Sequence, residues 1–273
     1  MRVTLLGTGC PPPNPRRRGP AALVAQGEVR VLVDTGSGVA ARLIEAGVRI
    51  FDLERVCLTH LHSDHVIDLG HVVLSRWIIG QDRPLEVYGP AGARAHVEKL
   101  LALWEWDVEV RRAHMHDREP PRVEVTEIEE GRVFSGGGLT VTAFAVEHEP
   151  VKPAFGFVVE GGGRRVVISG DTRPCENLIR HARSADVLIH ECTDATKAAW
   201  SPGCGWPSRE AKVRDLASYH TGPDEVGKVA ARATAATLVL THLMPGSDPA
   251  DLSARAARDF SGKIVVGEDV MEV

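Results

Sequence analysis

The spacing of apolar residues changes repeatedly along this chain, and the changes predict an alternation of strands and helices. Short apolar runs that end in glycine or polar turns are typical of strands, and they occur at residues 3–6, 21–25, 29–33, 56–59, 85–88, 123–128, 139–146, 155–160, 165–169, 187–190, 238–241 and 264–266. Helical spacing of apolar residues predicts helices at 39–46, 66–78, 93–103, 177–184, 223–233 and 249–260. This order of elements predicts an α/β fold whose mixed sheets carry helices on their outer faces.

Two segments fit no regular element. Residues 104–122 and residues 200–219 each contain two tryptophans, and the second also contains several glycines and prolines. Long loops inside a compact domain are often lids or walls of a substrate pocket, and the alternative is a plain surface excursion. The tryptophans either line a pocket for an aromatic leaving group or simply pack. Because no Pro/Ser/Gly linker divides the chain, we expect residues 1–273 to form one domain of two similar halves.

Composition narrows the class of protein. Of the 273 residues, 43% are hydrophobic and 25% are charged, as in an ordinary globular protein. No apolar run could span a membrane, and the first residues lead into a strand without a secretory leader, so we expect a cytoplasmic protein. The five scattered cysteines indicate free thiols. The net charge of −5 does not favour a large nucleic acid as substrate, although it does not exclude one, and we interpret the one basic run, Arg16-Arg17-Arg18, as a solvated loop.

Histidine and aspartate are concentrated directly after the predicted strand at 56–59. The run Thr59-His60-Leu61-His62-Ser63-Asp64-His65 contains three imidazoles and one carboxylate within six residues. Near the end of a strand alternate residues point the same way, so His60 and His62 can converge on one ion. The chain then turns, and Asp64 and His65 can face a second ion. Imidazole and carboxylate suit Zn²⁺, and also Mn or Fe.

Four ligands do not saturate two metal ions, and three further candidates follow predicted strands elsewhere. These are His148, Asp171 and His242, and Gly170 would let the backbone approach closely beside Asp171. Each candidate alone has an ordinary explanation, since an Asp after a strand often forms a turn or helix cap and a lone His is often a hydrogen-bonded structural residue. Their common position just past strands favours a metal site.

These residues resemble the ligand set of the metallo-β-lactamase superfamily. Leu32-Val33-Asp34-Thr35-Gly36 and Ser169-Gly170-Asp171-Thr172 are similar to the branch that holds ribonuclease Z and the metallo-β-lactamase-type arylsulfatases. The resemblance implies a four-layer αββα sandwich and two divalent metal ions, zinc first, with manganese or iron as alternatives. It further implies that one ion is held by His60, His62 and His148, the other by Asp64, His65 and His242, and that Asp171 bridges both.

The resemblance also implies a proton donor. Ile189-His190-Glu191 and Tyr219-His220-Thr221 are similar to a pair in which a Glu orients a His that protonates the leaving group. We therefore assign catalytic roles to Glu191 and His220, together with Asp64; the alternative for the pair is a structural hydrogen bond. Asp34 either hydrogen-bonds a ligand histidine or forms a turn. We expect Ser169 and Thr172 to orient Asp171.

One departure from this branch concerns the substrate. Ribonuclease Z normally inserts a long arm that clamps tRNA between the ligands that match His148 and Asp171, whereas here a simple hairpin through Gly161-Gly162-Gly163 fills the interval. We therefore predict a metal-dependent hydrolase of small-molecule esters, above all phosphodiesters or aryl sulfate esters. A tRNA 3′-processing endoribonuclease, a lactonase and a non-enzymatic binding module are the alternatives. Because ribonuclease Z-like proteins are often dimers, the resemblance also implies a homodimer.

Overall fold

The computed structural model describes residues 1–273, whose strands form two mixed sheets of seven strands each. The strands are β1 (Arg2–Gly7), β2 (Ala21–Gln26), β3 (Val29–Val33), β4 (Arg55–Cys57), β5 (Leu85–Gly89), β6 (Val123–Glu127), β7 (Gly131–Gly136), β8 (Leu139–Ala145), β9 (Phe155–Gly161), β10 (Arg164–Ile168), β11 (Val187–Glu191), β12 (Thr237–Thr241), β13 (Lys263–Val266) and β14 (Met271–Glu272). One sheet has the order β14-β1-β2-β3-β4-β5-β6 and the other β13-β12-β11-β10-β9-β8-β7.

The two sheets are built by the same rule. In the first, β14, β1, β2 and β3 pair antiparallel and β3 to β6 pair parallel. In the second, β7 to β10 pair antiparallel and β10 to β13 pair parallel. This confirms the prediction of two similar halves with mixed sheets.

Helices cover the outer face of each sheet. They are α1 (Val39–Glu45), α2 (Ser63–Val66), α3 (Leu69–Ile78), α4 (Ala93–Leu103), α5 (Glu105–His114), α6 (Glu176–His181), α7 (Arg209–Tyr219), α8 (Pro223–Ala233) and α9 (Pro249–Ala256), with 3-10 turns at Ile50–Asp52 and Ala195–Lys197. No helix combines the length and the apolar character needed to cross a bilayer.

Alternation along the strands creates the layers. On β3, Val31 and Val33 pack into the core between the two sheets, whereas Leu32 packs under the first layer of helices. On β11, Ile189 faces the core between the sheets and Leu188 faces the second layer of helices. Side chains that alternate in this way bury both faces of each sheet, and each fully buried Leu or Val stabilises the fold by about 1.5–3 kcal/mol. The result is the predicted αββα sandwich.

Two predicted loops are partly helical, so the loop prediction was wrong there. Helix α5 lies within 104–122, and its Val108 packs with Leu74 and Trp77 in a small apolar cluster. Helix α7 lies within 200–219 and begins at Ser208, whose side chain accepts a hydrogen bond from the backbone N–H of Ala211. Helix α5 buries one residue and α7 buries none. Neither sequence therefore has the broad apolar stripe from which a helix is predicted.

Several element bounds also differ from the predictions. The helix expected at 66–78 is divided into α2 and α3, because the chain turns at Asp68 before α3 begins. The helices expected at 177–184 and 249–260 end earlier, at His181 and Ala256. The short edge strands β7 and β14 were not predicted, since both are mostly half-exposed and lack an apolar run.

Candidate metal centre

The candidate ligands gather at one rim of the sandwich, where the parallel strands of both sheets end. His60 and His62 follow β4, and Asp64 and His65 lie in the short helix α2. His148, Asp171 and His242 follow β8, β10 and β12 of the other sheet. Side chains placed after strand ends are held by the rigid sheet and aimed by the loops. The structure thus brings together all seven candidates that the sequence indicated.

The first group of ligand atoms belongs to His60, His62, His148 and Asp171, and these atoms lie within 4.8 Å of one another. Nδ1 of His62 is 3.0 Å from Nε2 of His60 and 3.3 Å from Nε2 of His148. His60 and His148 are buried, whereas His62 is exposed. The exposed imidazole marks the side from which a substrate can approach.

The second group of ligand atoms belongs to Asp64, His65 and His242, which meet the same 4.8 Å limit. Oδ2 of Asp64 lies 3.5 Å from Nε2 of His65 and 3.4 Å from Nε2 of His242. Mixed imidazole and carboxylate groups of this kind suit Zn²⁺, Mn²⁺ or Fe.

Asp171 lies between the two groups. Its Oδ1 is 3.3 Å from Nε2 of His65, and its Oδ2 is 3.3 Å from Nε2 of His242 and 3.9 Å from Nε2 of His60. One buried carboxylate therefore faces ligands of both groups. Gly170 precedes it with φ +62°, and a Cβ there would lie 2.5 Å from the carbonyl oxygen of Phe155, so only glycine allows the strand end this close.

Hydrogen bonds fix the ring orientation of the histidines in the first sheet. Oδ2 of Asp34 lies 2.8 Å from Nδ1 of His65, and the Asp34 carboxylate also accepts hydrogen bonds from the backbone N–H and the hydroxyl of Thr59. Because the carboxylate accepts a hydrogen bond from Nδ1–H, Nε2 of His65 has a free lone pair and can act as a ligand atom. Of the two interpretations of Asp34, the structure shows the hydrogen bond to a ligand candidate.

Residues of the second sheet orient the other histidines. Nδ1 of His148 lies 3.1 Å from the carbonyl oxygen of Tyr219. Nδ1 of His242 lies 3.1 Å from the hydroxyl of Thr193, which in turn donates a hydrogen bond to Glu191 at 2.9 Å. Sequence reasoning missed Thr59, Thr193 and Tyr219 in these roles. Thr59 and Thr193 lie one or two residues from a candidate residue, which is the only signal the sequence offers for them.

Glu191 and His220 form a close pair at the edge of the centre. Nδ1 of His220 is 2.9 Å from both carboxylate oxygens of Glu191. The ring of His220 is stacked at 5.4 Å from that of His242 and lies 5.0 Å from that of His148. Burial opposes protonation of His220, but the Glu191 carboxylate raises the pKa of His220 to about 9. The predicted partners are therefore adjacent. Because Nδ1 of His220 faces Glu191, its Nε2 is turned away from that carboxylate.

Three histidines and Asp171 have the protonation that suits a cation site, whereas the Asp171 and Asp34 carboxylates raise the pKa of His65 against the effect of burial. Burial lowers the pKa of His60, His62 and His148, so these imidazoles are neutral and have a lone pair to offer. Burial opposes ionisation of Asp171, but His242 and His65 hold the pKa of this carboxyl well below its usual value. Nε2 of His65 is buried without a hydrogen-bond partner. A buried carboxylate beside an orphaned imidazole nitrogen is satisfied by a divalent cation.

Two expectations about neighbouring residues were wrong. Ser169 and Thr172 make no hydrogen bond to the Asp171 carboxylate; the hydroxyl of Ser169 accepts a hydrogen bond from the backbone N–H of Glu191, and the backbone N–H of Thr172 donates to the Glu191 carboxylate at 2.6 Å. Both therefore position Glu191. His190 faces away from the centre because strand residues alternate, and its Nδ1 bonds the backbone carbonyl of Glu191.

The sequence matches the family described as Beta-lactamase superfamily domain over residues 29–243. A protein named ribonuclease Z from Mycobacterium sp. (strain KMS) is 39% identical over 279 positions, which cover 100% of this chain and 95% of the relative. A protein of the same name from Mycobacterium bovis (strain BCG / Pasteur 1173P2) is 38% identical over 280 positions, which cover 100% of this chain and 98% of the relative.

Solved structures share the fold. The metallo-beta-lactamase fold protein YhfI from Bacillus subtilis has a TM-score of 0.77 at 23% identity, and human tRNase Z, short form, has a TM-score of 0.70 at 24% identity; both comparisons cover 100% of this chain and 98% of the other. Zn²⁺-bound PqqB from Methylobacterium extorquens has a TM-score of 0.61 at 17% identity and covers 100% of this chain and 99% of that one. The chain belongs to the beta-lactamase superfamily, as a hydrolase of the metallo-β-lactamase fold with ribonuclease Z among its relatives.

Proposed function

We propose that this chain is a dinuclear metal-dependent phosphodiesterase that cleaves RNA in the manner of its ribonuclease Z relatives. The observation that carries the proposal is the position of the Glu191–His220 pair beside the ligand cluster, 5.0 Å from the ring of His148. A phosphodiester has a poor leaving group, so its cleavage gains most from a positioned proton donor. The relatives that are named ribonuclease Z match over the whole chain.

The ligand assignment follows the two groups of donor atoms. We assign one ion to His60, His62 and His148, the other to Asp64, His65 and His242, and we assign Asp171 to both because its two oxygens face both groups. When bound, two divalent cations would supply Lewis acidity toward the ester oxygen and a water of lowered pKa. Besides holding an ion, Asp64 lies between His65 and His242 and fixes their relative positions.

The chain's own residues move the proton. Glu191 accepts a hydrogen bond from Nδ1–H of His220 and holds the ring, so that the proton on Nε2 points toward the substrate. The Glu191 carboxylate raises the pKa of His220 and so favours the imidazolium form, which has a proton to give. His220 then protonates the departing oxygen as the ester bond breaks, and the neutral imidazole that remains is still held by Glu191.

The comparisons favour RNA over the small ester that the sequence suggested. The absence of a clamping arm was the reason to doubt RNA, since β9 and β10 are joined directly by a tight turn at Gly162 and Gly163. The relative from Mycobacterium sp. (strain KMS) aligns over 279 positions with all 273 residues of this chain, and 95% of it is covered. That relative therefore has no long insertion between the ligands either, so the missing arm does not separate this chain from it.

The test is cleavage of a precursor tRNA labelled at its 5′ end, with zinc or manganese added in turn. We expect one shortened product that the wild type forms and Asp171→Ala does not. Asp259→Ala is the matched control, because Asp259 is an exposed aspartate that follows α9. Intact precursor after incubation with the metal-loaded wild type, at any enzyme concentration up to equimolar, would contradict the proposal for RNA.

A small ester is the second candidate, and the net charge of −5 favours it. Parallel assays with bis-p-nitrophenyl phosphate, p-nitrophenyl sulfate and a homoserine lactone distinguish a phosphodiesterase, an arylsulfatase and a lactonase. If the sulfate or the lactone is turned over much faster than bis-p-nitrophenyl phosphate and the precursor tRNA, the chain is an arylsulfatase or a lactonase instead.

A further inference from the structure

Helix α7 ends at the metal centre and packs only weakly on the rest of the chain. None of its residues is buried. It is held by hydrogen bonds from Arg209 to the carbonyl oxygen of Thr196 at 2.7 Å and from Lys212 to that of Ala199 at 2.6 Å, and by Leu216 against a small apolar cluster that includes Met244. The helix therefore makes few buried contacts. It ends directly before His220, so its last residue borders the metal centre.

Tyr219 is the last residue of α7 and borders the centre with its side chain. Its ring lies 5.4 Å from the ring of His148 and 4.8 Å from that of His220. The residue is half-buried, so part of its side chain is accessible to solvent. Tyr219 therefore presents an aromatic surface between the first ligand group and the proton donor.

Structural needs do not account for this aromatic ring. The backbone carbonyl of Tyr219 orients His148, and any residue provides that carbonyl. The phenol hydroxyl makes no hydrogen bond, whereas the hydroxyl of Tyr88, the other tyrosine of the chain, donates to Glu86 at 2.7 Å. The Tyr219 ring is thus half-buried, and its hydroxyl has no hydrogen-bond partner in the protein.

Further aromatic and basic groups lie along α7. One turn before Tyr219, Asp215 accepts a hydrogen bond from the indole of Trp206 at 2.9 Å. The ammonium group of Lys212 lies 4.9 Å from the centre of the Trp206 ring. Aromatic rings interleaved with cations are typical of surfaces that bind single-stranded nucleic acid.

We propose that Tyr219 is a specificity-determining residue, whose ring stacks on the nucleobase of the nucleotide that leaves. The inference rests on the proposed function, because it takes the substrate to be a phosphodiester of RNA. Since His220 protonates the leaving oxygen, the nucleoside attached to that oxygen must lie beside His220. Tyr219 is the aromatic residue 4.8 Å from that ring, so the base comes to rest against it. Base–aromatic stacking contributes to binding whatever the base, and selects for the presence of a base.

Kinetics with paired substrates test the stacking. Two RNA oligonucleotides that differ only in an abasic leaving nucleotide are compared. For the natural substrate, Tyr219→Leu should raise KM about tenfold, the size expected for one stacked base, with kcat nearly unchanged, whereas Tyr219→Phe should retain the wild-type KM. For the abasic substrate all three proteins should have equal KM. Equal effects of Tyr219→Leu on both substrates, or a loss of kcat alone, would overturn the inference.

A second readout needs no turnover. Because Tyr88 and Tyr219 are the only tyrosines, protein labelled with 3-fluorotyrosine gives two ¹⁹F resonances, and Tyr88→Phe assigns them. A dinucleoside phosphorothioate should shift the Tyr219 resonance and leave the Tyr88 resonance in place, and the doubly abasic analogue should shift neither. No shift of Tyr219 would overturn the inference even if the RNA is cleaved. Cleavage failing for every phosphodiester would instead overturn the proposed function, and the ¹⁹F titration would still decide whether Tyr219 binds a base.

Discussion

Nδ1 of His220 lies 2.9 Å from both carboxylate oxygens of Glu191, and the same carboxylate accepts a hydrogen bond from Thr193. Thr193 is in turn 3.1 Å from Nδ1 of the ligand candidate His242. One buried glutamate therefore orients both the proton donor and a metal ligand. A defect in Glu191 should affect proton transfer and metal binding together, whereas a defect in His220 should affect proton transfer alone.

The Glu191–His220 pair gives the first prediction. His220→Ala removes the donor and should lower kcat on substrates with poor leaving groups by about 10²–10⁴-fold. On p-nitrophenyl esters, whose leaving group departs without protonation, the loss should be small. His114→Ala is the control, because His114 is exposed and lies on α5. The measurement is kcat for a series of aryl phosphodiesters; a loss that does not depend on the pKa of the leaving group would make His220 a structural residue.

Asp34 gives the second prediction. Asp34→Asn keeps the size of the side chain but places an amide N–H near Nδ1 of His65, where a carboxylate oxygen now lies at 2.8 Å. Because this changes which ring nitrogen is free, affinity for the ion held by His65 should fall about 10–100-fold. Competition with a fluorescent zinc chelator measures both sites separately. Unchanged affinity at both sites would show that Asp34 serves only to hold Thr59.

Metal removal gives the third prediction. A cation held at a hundred times its dissociation constant stabilises the folded chain by about 2.7 kcal/mol, and for a domain of this size that should raise the Tm by about 5–10 °C. We therefore expect EDTA to lower the Tm and added Zn²⁺ to restore it. On addition of Zn²⁺, the Tm of Asp171→Ala should rise by less than the Tm of the wild type. A Tm that does not respond to chelator in the wild type would contradict a structural contribution of the ions.

Thiol reactivity gives the fourth prediction. Burial raises the pKa of Cys10 to about 12, and it also raises the pKa of Cys57 and Cys192. Hydrogen bonds from the backbone at Ser201 and Trp206 lower the pKa of Cys204, which is only partly buried. The thiolate is the reactive form and is more abundant where the pKa is lower.

Dithionitrobenzoate should therefore modify one thiol of the folded chain rapidly near pH 8, and all five after denaturation. Cys204→Ser should abolish the rapid phase. A rapid phase that survives in Cys204→Ser would mean that one of the other four cysteines is accessible, in conflict with their burial.

The ligand cluster could be predicted because its chemistry is written locally. His60, His62, Asp64 and His65 lie in one run, and the remaining ligands each follow a strand whose apolar run is easily recognised. Alternation along the strands likewise defined the layers. Fold and ligand set are therefore accessible from short stretches of sequence.

The positions of supporting residues could not be predicted in the same way. Thr193 reaches His242 across 49 residues of sequence, and Ser169 and Thr172 turn out to hold Glu191 rather than Asp171. Helix α7 was missed because it buries no residue and so has no apolar stripe. The hydrogen bonds of Thr193, Ser169 and Thr172 join residues that are far apart in sequence, so no short stretch of sequence predicts them.

We have assigned three side chains to each of two cations, with Asp171 shared between them. The most direct measurement is anomalous diffraction at the zinc absorption edge from crystals of the metal-loaded chain. The account predicts two anomalous peaks, one among His60, His62 and His148 and one among Asp64, His65 and His242, with Asp171 in contact with both. A single peak, or peaks away from these side chains, would contradict it.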